Sequence, residues 1–315
     1  MPVSNVVSKV VMAELAAAPF KVRAAAGLMR LAAHLPLSWL HGVGALVGRL
    51  AGLLKTREWR VARRNHELVG ASLGATDRDA FVRAVLVETG KNLTELAKVW
   101  GAPPARALAL VRNVHGREYF DAARAQGCGV IVAAPHLGCW ELLNLWLCAQ
   151  GPMALLYRVP QHPEWEALLR DARGKLGATQ VRADAAGVRE LLRCLKQGMT
   201  LGILPDQRAK GGEGEFAPFF GWPCKSMTLL SRLAEKTAAP VVFGFAERLP
   251  QGRGYDLHFL PAATGIASSD RVAAVTALHQ GIEACVRIAP TQYQWTYKRY
   301  SAQPGVDGDQ VYGRG

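Results

Sequence analysis

The sequence predicts an α/β protein, a mixed sheet flanked by helices, preceded by an N-terminal helical, membrane-associated region. Three observations carry this. Residues 1–105 are dominated by Ala, Leu, Val and Arg and punctuated by helix starts and stops. From Gly127 onward, short β-branched or apolar runs alternate with longer helical stretches, the pattern of strands covered by helices. Within the first of these regions, Leu31–Gly48 carries no formal charge and is followed by Lys55, Arg57, Arg60, Arg63 and Arg64. The boundaries that follow are an N-terminal region over 1–105, an α/β domain over 106–300 and a loose Gly- and Asp-bearing tail over 301–315.

In order along the chain, Thr76–Asp77–Arg78–Asp79 reads as the start of a helix running from Phe81 to Trp100, and Gly101–Ala102–Pro103–Pro104 as its stop. Val130–Ala134, introduced by Gly127–Cys128–Gly129, is a short β-branched apolar run and reads as a buried strand. Trp140–Gln150 is the helix after it. Ala154–Tyr157 reads as a strand, His162–Leu176 as a helix, Gly187–Gln197 as another, and Thr200–Leu204 as a strand. Ser226–Thr237 reads as a helix, Pro240–Ala246 and Gly254–Leu260 as strands, and Ser269–Ile288 as the last helix. No internal repeat or low-complexity tract interrupts this.

Composition narrows the function. A net charge of +13 on a chain that is only 20% charged gives a surface that seeks phosphate, on lipid, nucleic acid or an acidic partner. There is no Walker A glycine pattern before Lys225–Ser226, no zinc-finger spacing, and no aromatic interleaving of the basic run; Gly211–Gly212–Glu213–Gly214–Glu215 is acidic and repels phosphate. Nucleic acid is therefore not expected as a partner. The six cysteines form no C-x-x-C pair and sit in apolar surroundings, as reduced thiols do. The uncharged run holds His34, Pro36 and His41, and extending it to Leu54 takes in Arg49, so it suits a helical region lying in or dipping into one leaflet better than a span of about 20 apolar residues. Arg60, Arg63 and Arg64 share a helix face suited to anionic headgroups; a solvated face is the alternative.

The richest stretch for chemistry is Ala134–Pro135–His136–Leu137–Gly138–Cys139–Trp140–Glu141. It places an imidazole just past a strand and a carboxylate in the first turn of the next helix. In α/β sheets functional groups gather at the carboxyl ends of strands. Neutral imidazole takes a proton from an alcohol near neutral pH, and an acid on its other nitrogen fixes the tautomer. The expectation is His136 as general base with Glu141 as its orienter, and the substrate hydroxyl in the place of a protease serine. A strand-end histidine making an ordinary cap contact is the plain alternative.

His136–Glu141 resembles the H-x-x-x-x-E motif of the lipid A late acyltransferases, within the wider glycerolipid acyltransferase superfamily, whose other members carry H-x-x-x-x-D. Arg63–Arg64–Asn65, Tyr157–Arg158, Leu204–Pro205–Asp206–Gln207, Phe219–Phe220–Gly221 with Thr228, Ala239–Pro240–Val241, and Ala289–Pro290–Thr291–Gln292–Tyr293–Gln294–Trp295 with Lys298–Arg299 resemble further segments of that family in the same order. The likeness covers residues 35 to 300 or so. It implies O-acyl transfer, with acyl carrier protein as donor partner (coenzyme A being the other thioester carrier), a phosphorylated glucosamine lipid as acceptor, work on the cytoplasmic face of a bacterial inner membrane, and no resident cofactor or metal. It also implies second-tier site residues. Arg158 would hold a phosphate or the developing oxyanion, or else form a surface salt bridge. Asp206 would orient Arg158 or a substrate hydroxyl, or else cap a loop. Lys298 and Arg299 would meet lipid phosphate, or else form a solvated basic end. Two features leave the anchoring and the acceptor open: the first 30 residues carry Lys9, Glu14, Lys21, Arg23 and Arg30, and the apolar run is interrupted. An ornithine lipid, a lysophospholipid or a pigment is the alternative acceptor. A non-enzymatic lipid-binding protein is the rival class. A serine hydrolase is another rival, suggested by Gly70–Ala71–Ser72–Leu73–Gly74, but helical sequence precedes that motif where a nucleophile elbow needs a strand.

Overall fold

A computed structural model describes residues 14–209, 214–306 and 308–313; Lys9 and Gly211–Glu213 lie outside the described residues. Pro36 divides the uncharged N-terminal run. Its fixed φ suits a helix entry, so α1 (Phe20–Ala32) ends before it and α2 (Leu37–Leu53) begins after it. α3 (Arg57–Leu73) and α4 (Arg78–Leu96) follow, the latter capped by Asp77 accepting from the Ala80 amide at 2.9 Å. The helix expected to reach Trp100 loses its α register early: Ala97–Gly101 is a π-helical turn.

α2 is apolar on both faces. One face packs on α4 through Gly44, Gly48 and Gly90, where a Cβ on Gly90 would lie 2.0 Å from the Gly44 carbonyl oxygen, so only glycine lets these backbones meet. The other face carries Trp39, Val43, Leu46, Leu50 and Leu53 at helical spacing, and these are exposed, Trp39 at 66% and Leu53 at 78%. No single described helix is long and apolar enough to cross a membrane; α2 and α3 pass that test only as a pair, bent by 79°.

The remaining chain builds the sheet and the helices that flank it. Its elements are α5 (Pro104–Leu108), β1 (Val111–His115), α6 (Arg117–Ala125), β2 (Val130–Ala133), α7 (Trp140–Gln150), β3 (Met153–Tyr157), α8 (Glu166–Gly174), β4 (Thr179–Arg182), α9 (Ala185–Lys196), β5 (Thr200–Ile203), the hairpin β6 (Glu215–Phe219) and β7 (Trp222–Ser226), α10 (Leu229–Thr237), β8 (Val241–Arg248), β9 (Tyr255–Pro261) and α11 (Arg271–Ile288). Seven strands form one sheet in the order β1-β9-β8-β2-β5-β3-β4; β8 and β9 pair antiparallel and the other neighbours are parallel, so the sheet is mixed, as predicted. The central strands β2 and β5 are buried along their whole length. Ser226, expected to open a helix, instead closes β7, and the helix begins at Leu229.

A buried ionic joint fastens α4 to the sheet. Arg248, at the end of β8, donates to both oxygens of Glu95 (2.6 and 2.7 Å) and to Glu88 (2.8 Å), and the Tyr255 hydroxyl donates to Glu95 at 2.8 Å. Burial alone would raise Glu95, but the charge and hydrogen bonds of Arg248 outweigh it and bring its pKa down to about 2. The tail expected to be loose is anchored at Val311 and Tyr312: the Tyr312 hydroxyl donates to Asn65 at 2.5 Å and accepts from the Tyr300 amide, while Arg64 donates to the Val311 carbonyl. Asn65 is fully buried in α3 and leaves that tail a polar foothold.

Candidate active site

The site forms where β2 and β5 end side by side. Ala133 pairs with Ile203, and His136 and Asp206 each lie three residues beyond that pair, so parallel register brings them to the same mouth of the sheet. The loop after β2 must turn sharply to feed α7. Gly138 takes φ +59° there, and a Cβ on it would sit 1.9 Å from the Ala246 carbonyl oxygen. The C-terminal segment closes over the same loop: the Gln294 amide donates to the His136 carbonyl (3.0 Å) and the Gly138 amide to the Gln292 carbonyl (3.2 Å).

His136 Nδ1 lies 2.7 Å from Asp206 Oδ1, and the His136 backbone amide donates to Asp206 Oδ2 at 2.9 Å. One carboxylate thus fixes both the ring and its backbone. Asp206 is 2% exposed while the His136 side chain keeps 15%. Burial alone would raise Asp206; the His136 charge and hydrogen bonds outweigh it and hold the carboxyl below its usual range, so it is an anion at neutral pH. With Nδ1–H donated to Asp206, Nε2 carries the lone pair. It faces the Gln207 amide nitrogen at 3.3 Å, and the Trp140 ring packs edge-on at 5.1 Å.

This corrects the expected pairing. Asp206, not Glu141, takes Nδ1 of His136. Glu141 is buried in the first turn of α7, where Arg173 of α8 donates to both its oxygens (Nε to Oε2 at 3.1 Å, Nη2 to Oε1) and Trp100 of the π turn donates to Oε2 at 3.3 Å. The reason is directional: a first-turn side chain of α7 leans toward α8 and the π turn, whereas the β5 loop faces β2 in the plane of the sheet. Glu141 keeps Arg173 protonated against a burial that favours the neutral form.

The other expected site residues are scattered. Arg158 is exposed beyond β3, two strands from β2, with the Met227 sulfur 3.6 Å from Nη2. Lys298 pairs with Asp309 at 3.1 Å over the Tyr312 ring. Arg299 is 2% exposed, buried and not at the surface, because the Trp295–Tyr300 segment turns into the core beside β7. Arg63 and Arg64 both pair with Glu67 on their own helix, and Arg60 donates to the Lys55 carbonyl. The serine of the elbow-like motif is inside α3, with Gly74 as its left-handed cap, so no strand-to-helix turn presents Ser72. Gln207 and Arg173 were not singled out by sequence: Gln207 is visible only as the neighbour of Asp206, and nothing in the spacing points to Arg173.

The model of the bacterial lipid A biosynthesis acyltransferase family matches residues 17–302. The chain belongs to this family. Among curated relatives it is similar to the lipid A biosynthesis lauroyltransferase of Escherichia coli K12, 25% identical over 282 residues, covering 88% of this chain and 90% of the relative. The lipid A biosynthesis palmitoleoyltransferase of the same organism is 26% identical with the same coverage. A phosphatidylinositol mannoside acyltransferase of Mycobacterium tuberculosis H37Rv is 28% identical over 181 residues, 54% of each chain. The protein is an O-acyltransferase, and in this family member the motif histidine is paired in space with an aspartate 70 residues downstream.

Proposed function

We propose that this acyltransferase moves a fatty acyl chain from a carrier thioester, acyl carrier protein in the first instance, to a hydroxyl of a phosphorylated glucosamine lipid, with His136 as general base and Asp206 as its orienter. One observation carries the mechanism: a buried anionic carboxylate on Nδ1 leaves the lone pair of Nε2 at a partly open mouth. The acceptor hydroxyl bonds to Nε2 in the place of the Gln207 amide. Its oxygen attacks the thioester carbonyl while the proton passes to Nε2; the carbon–sulfur bond then breaks and the thiolate takes that proton back. The tetrahedral oxyanion forms near the N-terminus of α7, whose first amides and dipole favour negative charge. Glu141 anchors that helix through Arg173 and so positions the mouth without handling the proton.

The bare apolar face of α2 supports a seat in the membrane interface. Trp39, Val43, Leu46, Leu50 and Leu53 face outward, with Leu54, Lys55 and Arg57 exposed at the end of the helix. An in-plane helix of about 25 Å carrying such a face binds an anionic leaflet by apolar burial plus charge. Together with the names of the Escherichia coli relatives this favours the inner membrane, worked from its cytoplasmic side. The mycobacterial relative supports a second acceptor of the same chemistry, another anionic glycolipid. Mass spectrometry of lipids from cells with the protein, without it, and with His136→Ala tests the whole reading. An acylated lipid present only with the intact protein is the expected result; equal acylation by His136→Ala refutes it.

A further inference from the structure

Arg299 is one of the largest fully buried side chains in the protein. Its immediate contacts are neutral: Nη1 donates to the Lys225 carbonyl at 2.9 Å, Nη2 donates to the Ser226 hydroxyl and lies 3.3 Å from His279 Nε2, and Nε has no hydrogen-bond partner among the described residues. His279 adds no charge, since burial and then the field of Arg299 push its pKa down to about 3, with Nδ1 against the Pro218 carbonyl at 2.9 Å. The Lys225 ammonium is directed over the Phe216 ring. A guanidinium taken out of water without an anion in contact is strongly disfavoured, so its counter-charge must lie further off.

The acids that act most strongly on Arg299 are Cys224, Tyr293, Asp206 and Tyr300. Burial pushes Cys224 up to about 11 and pushes Tyr293 and Tyr300 well above their ordinary value, so these three are uncharged at neutral pH. Asp206 remains as the anion. Geometry brings the two regions together: Arg208, two residues past Asp206, bridges antiparallel to Ser226, whose hydroxyl receives Arg299 Nη2. The segment that ends at Arg299 bonds to the His136 carbonyl through Gln294, and to the Arg208 amide, two residues past Asp206, through the Tyr297 hydroxyl at 3.2 Å.

We propose that Arg299 is a positioning residue for catalysis, the remote buried counter-ion of Asp206, which sets how firmly the His136–Asp206 pair holds its proton. This rests on His136 being the base. In the charged state of the pair Asp206 serves two cations, His136 in contact and Arg299 at longer range. The field of Arg299 opposes a second positive charge on the imidazole and so keeps Nε2 unprotonated to lower pH. Without it the pair binds its proton more tightly.

The test is the pH dependence of kcat/KM for the full chain in mixed micelles, with acyl carrier protein thioester and a phosphorylated glucosamine lipid. Arg299→Met is expected to move the acidic limb to higher pH by about one unit, a tenfold loss on that limb, and Arg299→Lys to restore most of it. Should Arg299→Met not fold, His279→Glu places an anion beside Arg299 and cancels its field with the guanidinium still in place; the same upward displacement is expected. An acidic limb that stays put in the folded variants, with only rate or thermal stability lowered, overturns the inference and leaves Arg299 as packing. Failure of the underlying mechanism would look different: His136→Ala would keep the native rate and profile.

Discussion

Two buried carboxylates flank the mouth of the sheet, and the nitrogen each one meets separates their roles. Asp206 faces an imidazole, a side chain able to take up and release a proton; Glu141 faces a guanidinium, which is not. The first pair can carry a proton during a reaction. The second can only hold position, joining α7, α8 and the π turn that brings Trp100. The Glu95–Arg248 joint beneath α4 repeats the second pattern. An acid at a motif-like spacing is thus no guide to which base it serves; the fold decides that.

The sharpest way to break this contrast is Asp206→Asn. The amide can still meet His136 but cannot accept both N–H groups, and it favours the wrong tautomer. A fall in kcat of about 10³–10⁴-fold with little change in melting temperature is expected, measured as acyl transfer from a thioester donor. Activity within tenfold of native would mean that Asp206 is not the orienter.

Glu141→Gln is expected to act by another route. It leaves Arg173 buried without its anion, so stability falls by about 3–5 kcal/mol and activity falls with it. Replacing both partners, Glu141→Leu with Arg173→Met, removes the stranded charge and should recover most of the stability, seen in thermal denaturation, along with a large share of the activity. A stable but inactive double variant would return the carboxylate of Glu141 to the chemistry.

Glu95→Gln supplies the purely structural end of the comparison, with a loss of about 3–5 kcal/mol on chemical denaturation at neutral pH. The sign of its pH dependence follows from a folded pKa of about 2, depressed from the ordinary 4.5. The stabilisation of the native protein is fully present above about pH 4.5 and is lost as pH falls from there toward about 2. The difference between native and variant should close over that window; a difference that persists at about pH 2 contradicts the ionic account.

Much of this was legible in the sequence because it is local. β-branched runs such as Val130–Ala133 and the strand-end histidine show themselves within a few residues, and Trp140–Gln150 was read with the bounds the helix has. What was missed is non-local or polar. β1 and β4 are half-exposed edge strands with mixed composition, and β6–β7 carries prolines and charge, so none shows a clean period. The partner of His136 is not legible because sequence offers the nearest acid, five residues on, while parallel pairing of β2 with β5 supplies one 70 residues away. From sequence Arg299 reads as a lipid-phosphate contact or a solvated basic end, because a cation's burial depends on neighbours contributed by β7 and α11.

The smallest expected effect tests which nitrogen of His136 does the work. Gln207 touches Nε2 at 3.3 Å, a long contact made by an amide that the incoming hydroxyl would displace. If Asp206 alone holds the ring, Gln207→Met removes one weak, exchangeable hydrogen bond, of about 1 kcal/mol. The change in kcat/KM should then stay under about tenfold, mostly in KM, because the acceptor no longer competes with the amide for the lone pair. A loss as deep as that of Asp206→Asn would show instead that the ring is held from both sides and that Nε2 is not open to substrate. The proton would then need another acceptor, and the separation between a working carboxylate and a clamping one would have to be drawn elsewhere in the mouth of the sheet.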